Sequence, residues 1–348
     1  MHYFKLFNSC RVVKGAENSL IYDLERMDNS NSIPSSVYEI LTEHIDKPVE
    51  EIKTAYNNEY DIVIDEYFEF LIKNEYIFYC DKEELELFPT VDYEWKSPKN
   101  ITNSIIDYDG TITISDYKEF IKELSVLGCV AIQIRSFVSL TLVELKEFMF
   151  LFNETSIINI ELILKFNEDL IDSEIIDLQK QYPRIRKMNI YSSPEDRDEY
   201  FINYLKEDIN PENDCGKVDS KFFSIGFDTF AEAQCHNTCL NQKVSVDKNG
   251  LIKGCPSMSQ SCGDIKQNTI NEVLEQKILQ KPWTINKDEV EVCKDCEYRY
   301  CCTDCRVFTD DKNNPYSRPS KCNYNPYQGL WKGEERYVDV VEYLVNEK

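Results

Sequence analysis

The chain is poor in the residues that most catalysts lean on. It has three histidines in 348 residues, His2, His44 and His236, so imidazole-based acid–base chemistry is thinly supplied. It contains no GxGxxG, no GxxxxGK[ST] and no GxSxG. That removes the usual signals for dinucleotide binding, phosphate cradling and a serine nucleophile. Positive charge is scarce: 39 Lys and Arg stand against 63 Asp and Glu, a net charge of −24. Such a surface repels phosphate, so neither nucleic acid nor a membrane is expected as a partner. A basic peptide suits it better, beside the plainer reading of a solvated acidic face. No stretch approaches the roughly 18 consecutive apolar residues of a membrane span, and the opening MHYFKLFNSCRVVKG has no signal-peptide core. Glycine and proline are sparse, at 10 and 12, while 42% of residues are hydrophobic, which excludes wholesale disorder. The length suggests two or three domains. The expected compartment is cytoplasmic, where thiols stay reduced.

Cysteine is what the chain has in excess, and it is unevenly spread. Residues 1–214 hold Cys10, Cys80 and Cys129, while residues 215–322 hold the other eleven. In a reducing compartment that density points to metal rather than to disulfides. Residues 293–305 read CKDCEYRYCCTDC. Cys293 and Cys296 form a CxxC, which chelates one centre through two thiolates without backbone strain. Cys302 and Cys305 follow, and Cys322 is the last. Upstream, Cys235, Cys239 and Cys255 lie in CHNTCLNQKVSVDKNGLIKGC. Asn249-Gly250 predicts a type I′ hairpin between Lys243–Val246 and Leu251–Lys253, with Cys239 and Cys255 near its base. Thr269 and Glu272 predict a capping box on a short helix over Thr269–Gln276. The ligands suffice for two four-thiolate sites. Zinc suits four thiolates by ligand type, whereas the spacing favours iron–sulfur. Cys10, Cys80 and Cys129 read as small buried hydrophobes. Cys215, Cys262 and Cys301 are ambiguous, and His236 reads as a bystander.

The first 80 residues read as a small α/β unit. Phe4–Val13 and Ser19–Met27 are strand-like across the turn Lys14–Asn18. Helices are expected at Ser35–Glu43, Val49–Tyr56 and Ile62–Asn74, then a short strand at Tyr76–Tyr79. That order is the arrangement of a winged helix-turn-helix. Its third helix carries Asp65, Glu66 and Glu69, which argues against DNA and for peptide recognition by strand addition along the Ser19–Met27 edge. Residues 81–98 read as an acidic linker. Beyond it, strands at Asn103–Tyr108, Cys129–Ile134, Ile157–Phe166 and Arg186–Tyr191 alternate with helices at Ser115–Leu127, Thr141–Phe152 (opened by a Thr141–Glu144 capping box) and Ser173–Tyr182. This pattern implies parallel strands in a partial barrel or open sheet. Phe222–Phe227 is a candidate further strand.

From Cys239 through Gly250 to Cys255, and then Cys293, Cys296 and Cys302, the spacing resembles a SPASM domain. This is the C-terminal module of radical SAM peptide-modifying enzymes that binds two auxiliary [4Fe–4S] clusters. The resemblance implies that Cys235, Cys239, Cys255 and Cys305 hold one cluster, and Cys293, Cys296, Cys302 and Cys322 the other. Only Thr303 and Asp304 precede Cys305, one residue short of the usual spacing, with Cys301 as the local substitute. The CxxxCxxC that would serve S-adenosylmethionine is absent: DGTITISDYKEFIKEL, after the first expected barrel strand, has no cysteine. No residue is therefore assigned to S-adenosylmethionine, and catalytic residues remain unassigned.

The whole chain resembles the SPASM-domain peptide maturases of grasp-with-spasm systems, most specifically in CEYRYCCTDCR, residues 296–306. The implied fold class is α/β in three parts. Residues 1–80 would be a winged-helix, leader-binding unit joined by the linker 81–98. Residues 99–214 would be a degenerate radical SAM-like β/α domain, and residues 215–348 the SPASM module. The implied partners are a ribosomally made precursor peptide and an ATP-grasp ligase, with the chain an accessory to maturation. Two alternatives stand beside it. The clusters could serve a redox enzyme that modifies the peptide, or zinc could stabilise a structural adaptor.

Overall fold

The computed structural model describes residues 2–27, 29–45, 47–89, 91–210, 214–303 and 305–346. Asp304 therefore lies outside the described residues. The chain divides into two units, each assembled from separated stretches. One comprises Met1–Trp95, Lys217–Thr238 and Ile285–Lys348; the other comprises Lys96–Gly216 and Cys239–Thr284.

The first unit starts with β1 (Tyr3–Leu6), then a three-stranded antiparallel meander of β2 (Cys10–Lys14), β3 (Ser19–Asp23) and β4 (Ser30–Ile33). The expected strand Phe4–Val13 is thus two strands, broken where the Cys10 amide turns back to the Phe7 carbonyl at 2.8 Å. Helices α1 (Ser35–Glu43), α2 (Val49–Ala55) and α3 (Asp61–Lys73) follow, and β5 (Ile77–Cys80) returns to pair with β1. Pro34 and Pro48 stand just before α1 and α2 in extended backbone and mark where each helix begins. Ile64, Phe68 and Leu71 bury the inner face of α3, at the spacing expected of an amphipathic helix.

The meander overturns one expectation. β3 pairs with β2 on one side and β4 on the other, so the Ser19–Met27 segment offers no free edge. Every residue of β3 is buried. Alternation explains how. Ile21 packs into the core under the helices, with Phe4, Val37 and Phe68. Leu20 and Tyr22 point the other way, into a second core with Val13, Leu24, Phe230 and Cys301. The segment after β5 is strapped to the same unit: Lys5 Nζ donates to the Phe88 carbonyl at 2.7 Å, and Tyr93 Oη donates to the Asn8 carbonyl at 2.8 Å. Phe222–Phe227 is not a strand. Ser220–Phe222 is a 3-10 turn and Phe227 opens the helix Phe227–Cys235; between them Phe223 and Ile225 pack against the second core, while Phe222 and Phe227 stay exposed.

The second unit is a nine-stranded, mostly parallel sheet. β6 (Asn103–Tyr108), β7 (Ala131–Ser139), β8 (Asn159–Lys165) and β9 (Ile185–Tyr191) run parallel, linked by α4 (Lys118–Val126), α5 (Leu142–Phe150) and α6 (Asp172–Gln181). The Thr141 capping box is present, with Thr141 and Glu144 satisfying each other's backbone amides. β10 (Arg197–Glu199) and β11 (Ile202–Tyr204) extend the sheet beyond β9. β12 (Ser245–Val246), β13 (Leu251–Lys253) and β14 (Gly263–Asp264) extend it beyond β6. The two ends of the order are different strands, so the sheet is open.

The β12–β13 hairpin is real, but its turn is not type I′. Gly250 has φ +83° while Asn249 is not in the left-handed region. The Gly250 amide donates to the Asp247 carbonyl at 2.9 Å, which closes a type I turn over Asp247–Gly250. The Asp247 carboxylate captures the amides of Asn249 and Leu251 at 2.9 and 3.0 Å. Those bonds hold the longer turn with glycine at its last position, a form Asn-Gly also satisfies.

Candidate metal centre

In the first unit, Cys293, Cys296, Cys302 and Cys322 line a single small cavity of about 30 Å³. Local backbone turns place them. Cys293 opens a 3-10 turn, and the Cys296 amide donates to the Cys293 carbonyl at 3.0 Å, presenting the CxxC pair together. The Cys302 amide donates to the Tyr298 carbonyl at 3.0 Å. Cys322 is held by its amide to the Pro319 carbonyl and by a bridge between its backbone and Val218. Val292, just before Cys293, has φ +67°. A β-branched residue there is strained, and such strain persists only where the surroundings enforce it.

The walls are apolar. Trp331 packs at a tilt against Tyr324 at 4.8 Å between centroids, and Tyr298 lies 5.1 Å from both Phe223 and Tyr324. Two cations accompany them. Lys287 is only 3% exposed and its ammonium donates to the Cys302 carbonyl. Arg299 donates to the Cys296 carbonyl at 3.0 Å. Burial pushes the Cys296 thiol well up, and the neighbouring Glu297, Cys293 and Cys322 add to the shift. The bare Cys296 thiol stays protonated, and a bound cation reverses that balance by its own charge. The donor set of four sulfurs, dry walls and nearby cations suits a metallothiolate group by chemistry. Among the described residues, however, no three His, Cys, Asp or Glu side chains already converge on one point as a metal would hold them.

The other expected set is distributed differently. Cys235 and Cys305 belong to the first unit, Cys235 exposed and Cys305 buried, while Cys239 and Cys255 belong to the second. Within the second unit, Lys243 Nζ lies 3.9 Å from Cys239 Sγ and also favours the thiolate of Cys255. The Cys255 thiol hydrogen-bonds Cys215, which with burial raises it well above its ordinary value. Spacing left Cys215 ambiguous; proximity to Cys255 is a tertiary fact that no local pattern encodes. Both thiols act on Arg135, whose guanidinium grips the buried Asp107 through two bonds of 2.6 and 2.9 Å. Cys301 sits in the apolar second core and its thiol donates to the Tyr298 carbonyl at 3.4 Å; burial pushes that thiol up to about 12. Cys10, Cys80 and Cys129 are buried.

Sequence reasoning missed Lys287, Phe223 and Trp331, which line the cavity beside the cysteines. Tyr298 and Arg299 also line the cavity, whereas Tyr300 turns away to pack on Phe230 at 5.3 Å.

No family model and no curated protein matches the chain. Among solved structures it is similar to Streptococcus suis SuiB bound to S-adenosylmethionine, at 12% identity and a TM-score of 0.33 over 92% of this chain and 100% of that one. It is also similar to SuiB bound to the precursor peptide SuiA, at 9% identity and a TM-score of 0.34 over 93% and 100%. Likeness at that level carries no weight for function, which has to be argued from the residues themselves. No described helix is long and apolar enough to cross a membrane.

Proposed function

We propose that this chain is a metallothiolate protein of peptide maturation. On this reading it binds a ribosomally made precursor peptide, works beside an ATP-grasp ligase in the cytoplasm, and does not cleave S-adenosylmethionine. Residues 1–80 would be the winged-helix leader-binding unit, residues 99–214 a degenerate radical SAM-like scaffold, and residues 215–348 the SPASM module. The observation that carries the proposal is the meeting of Cys293, Cys296, Cys302 and Cys322 around one apolar cavity. Those four are the set that the SPASM resemblance implies for a single cluster. A bound cluster there would supply charge and electron-storage capacity; Lys287 and Arg299 would offset the negative charge of the thiolates. For the other site, Cys235, Cys239, Cys255 and Cys305 remain the proposed ligands.

A second reading has its own support. Four thiolates meet the tetrahedral preference of zinc by ligand type as fully as that of a cluster, and the same four cysteines line this cavity. A tetrahedral zinc would fit it, making the module a structural knot and the chain an adaptor. Iron, acid-labile sulfide and zinc per chain, measured on protein purified without oxygen, separate the two. About eight irons with matching sulfide support paired [4Fe–4S] clusters. About two zincs without sulfide would leave only the adaptor.

A further inference from the structure

With β3 enclosed, β2 is an outer strand of the meander, and its open edge is lined in an unusual way. Two cavities of about 260 and 400 Å³ share Arg11 and Val12 along this strand. Tyr38, Leu41 and Ile45 wall the groove on one side, and Tyr93 and Arg299 on the other. All of these residues belong to the first unit.

The backbone register shows what the edge offers. The Leu24 amide bonds the Ser9 carbonyl and the Gly15 amide bonds the Asn18 carbonyl, so odd-numbered β2 residues face β3. Cys10, Val12 and Lys14 face outward. The Cys10 amide goes to Phe7, its carbonyl takes Arg11, and the Lys14 carbonyl takes Arg299 at 2.6 Å. Among the described residues, both backbone groups of Val12 and the Lys14 amide have no protein partner. An added strand would complete them.

The charge of the groove runs against that of the chain. In a protein of net charge −24, Arg11, Lys14 and Arg299 converge here, each over a tyrosine ring: Tyr93 at 4.7 Å, Tyr38 at 5.7 Å and Tyr300 at 4.8 Å. Arg299 is paired with Asp288 at 2.8 Å. Arg11 and Lys14 have no carboxylate partner among the described residues, and Asp92 is the single acidic residue lining either cavity. Long cationic side chains laid over aromatic rings are pre-ordered to meet carboxylates.

We propose that the open edge of β2 is a binding groove for an extended peptide segment bearing carboxylates, which adds to the meander as a further strand. The inference deepens the peptide-maturation reading by naming the chemistry of the segment bound, and it rests on that reading. It also separates two contacts: the acidic α3 suits basic side chains, while the β2 groove takes acidic ones.

The test uses the full-length protein and two fluorescein-labelled peptides, one alternating Glu with Val and the other Lys with Val, followed by fluorescence anisotropy. The Glu/Val peptide is expected to bind saturably, about tenfold tighter than the Lys/Val peptide, against the overall charge of the protein. Added salt should weaken it. Lys14→Glu, on an exposed side chain, should cost about tenfold, and exchange of the Val12 amide should slow in the complex. Equal or tighter binding of the Lys/Val peptide, or indifference to Lys14→Glu, would overturn the groove while leaving peptide binding itself standing. Saturable binding of neither peptide also overturns it, and the metal measurement then judges the maturation reading separately.

Discussion

Gly15→Ala is the sharpest probe of how the N-terminal sheet is joined to the cysteine loop. Gly15 sits in the turn between β2 and β3 and is not one of the positive-φ glycines, so its backbone suits alanine. Space is the obstacle. A Cβ there would lie 2.5 Å from the Asn18 carbonyl oxygen, 2.6 Å from Glu297 Oε2 and 3.0 Å from the Glu297 amide nitrogen. Two of these atoms are backbone, and Glu297 is fully buried with its other oxygen bonded by Tyr324, so its side chain cannot swing aside. Relief requires opening the turn, which threatens the bonds from Gly15 to Asn18 and from Ala16 to the Asp295 carbonyl, each 2.8 Å. Overpacking costs about 1–3 kcal/mol, and each lost hydrogen bond about 1 kcal/mol. A total of roughly 2–5 kcal/mol would lower the melting temperature of that unit by roughly 5–15 °C. Calorimetry reads this directly, and chelator competition should show faster metal loss from the Cys293–Cys322 site. Gly110→Ala is the control: its φ is +85° and a Cβ meets nothing within 4 Å, so it reports backbone strain alone, about 1–2 kcal/mol. A Gly15→Ala protein that melts within about 2 °C of wild type would refute the docking of this turn onto the CxxC loop.

The remaining predictions address single interactions. Cys302→Ser is expected to remove about half of the bound metal, whereas Cys301→Ala should leave the metal content unchanged, because Cys301 lies in the apolar core; elemental analysis of both variants checks this. Arg135→Met leaves Asp107 buried without its partner and should cost about 3–5 kcal/mol in urea unfolding, while the double variant Arg135→Met/Asp107→Leu should recover most of the loss. Asp65→Lys with Glu69→Lys on α3 should weaken precursor-peptide binding by about tenfold without unfolding the chain, as measured by anisotropy; Asp65 is half exposed and its pairing with Lys53 at 2.7 Å contributes little to stability. This double reversal is a cleaner test than deleting residues 1–80, since deletion strips Val13, Leu20, Tyr22 and Leu24 from the core they share with Phe230 and Cys301.

What could be read from the chain divides along the range of the interactions. Helix α1 and strand β6 match their expected bounds, and both capping boxes, at Thr141 and Thr269, are present, because caps and periodicity are encoded within a few residues. β4 escaped notice because SNSI has neither apolar alternation nor aromatic content; pairing with β3, not propensity, makes it a strand. Missing it turned β3 from a central strand into an apparent edge. The hairpin turn was misjudged for a related reason, since the carboxylate of Asp247 selects the turn through bonds to two amides. The same division runs through the candidate site. A CxxC announces itself because two thiolates on one turn can chelate one centre. Lys287, Phe223 and Trp331 do not, because they reach the cavity from distant segments. Tyr22 shows what this costs a purely local reading. It is an ordinary strand tyrosine in the sequence, yet its hydroxyl donates to the Glu297 carbonyl at 2.6 Å and its ring shares a buried core with Cys301. One residue of the meander thereby touches the loop that carries Cys296 and Cys302. A ligand that adds a strand to β2 would act on the same sheet, two bonded strands from the metal-site loop at most. Peptide binding and metal retention should therefore be thermodynamically linked: whichever ligand stabilises this sheet–loop contact raises the affinity for the other by the same factor.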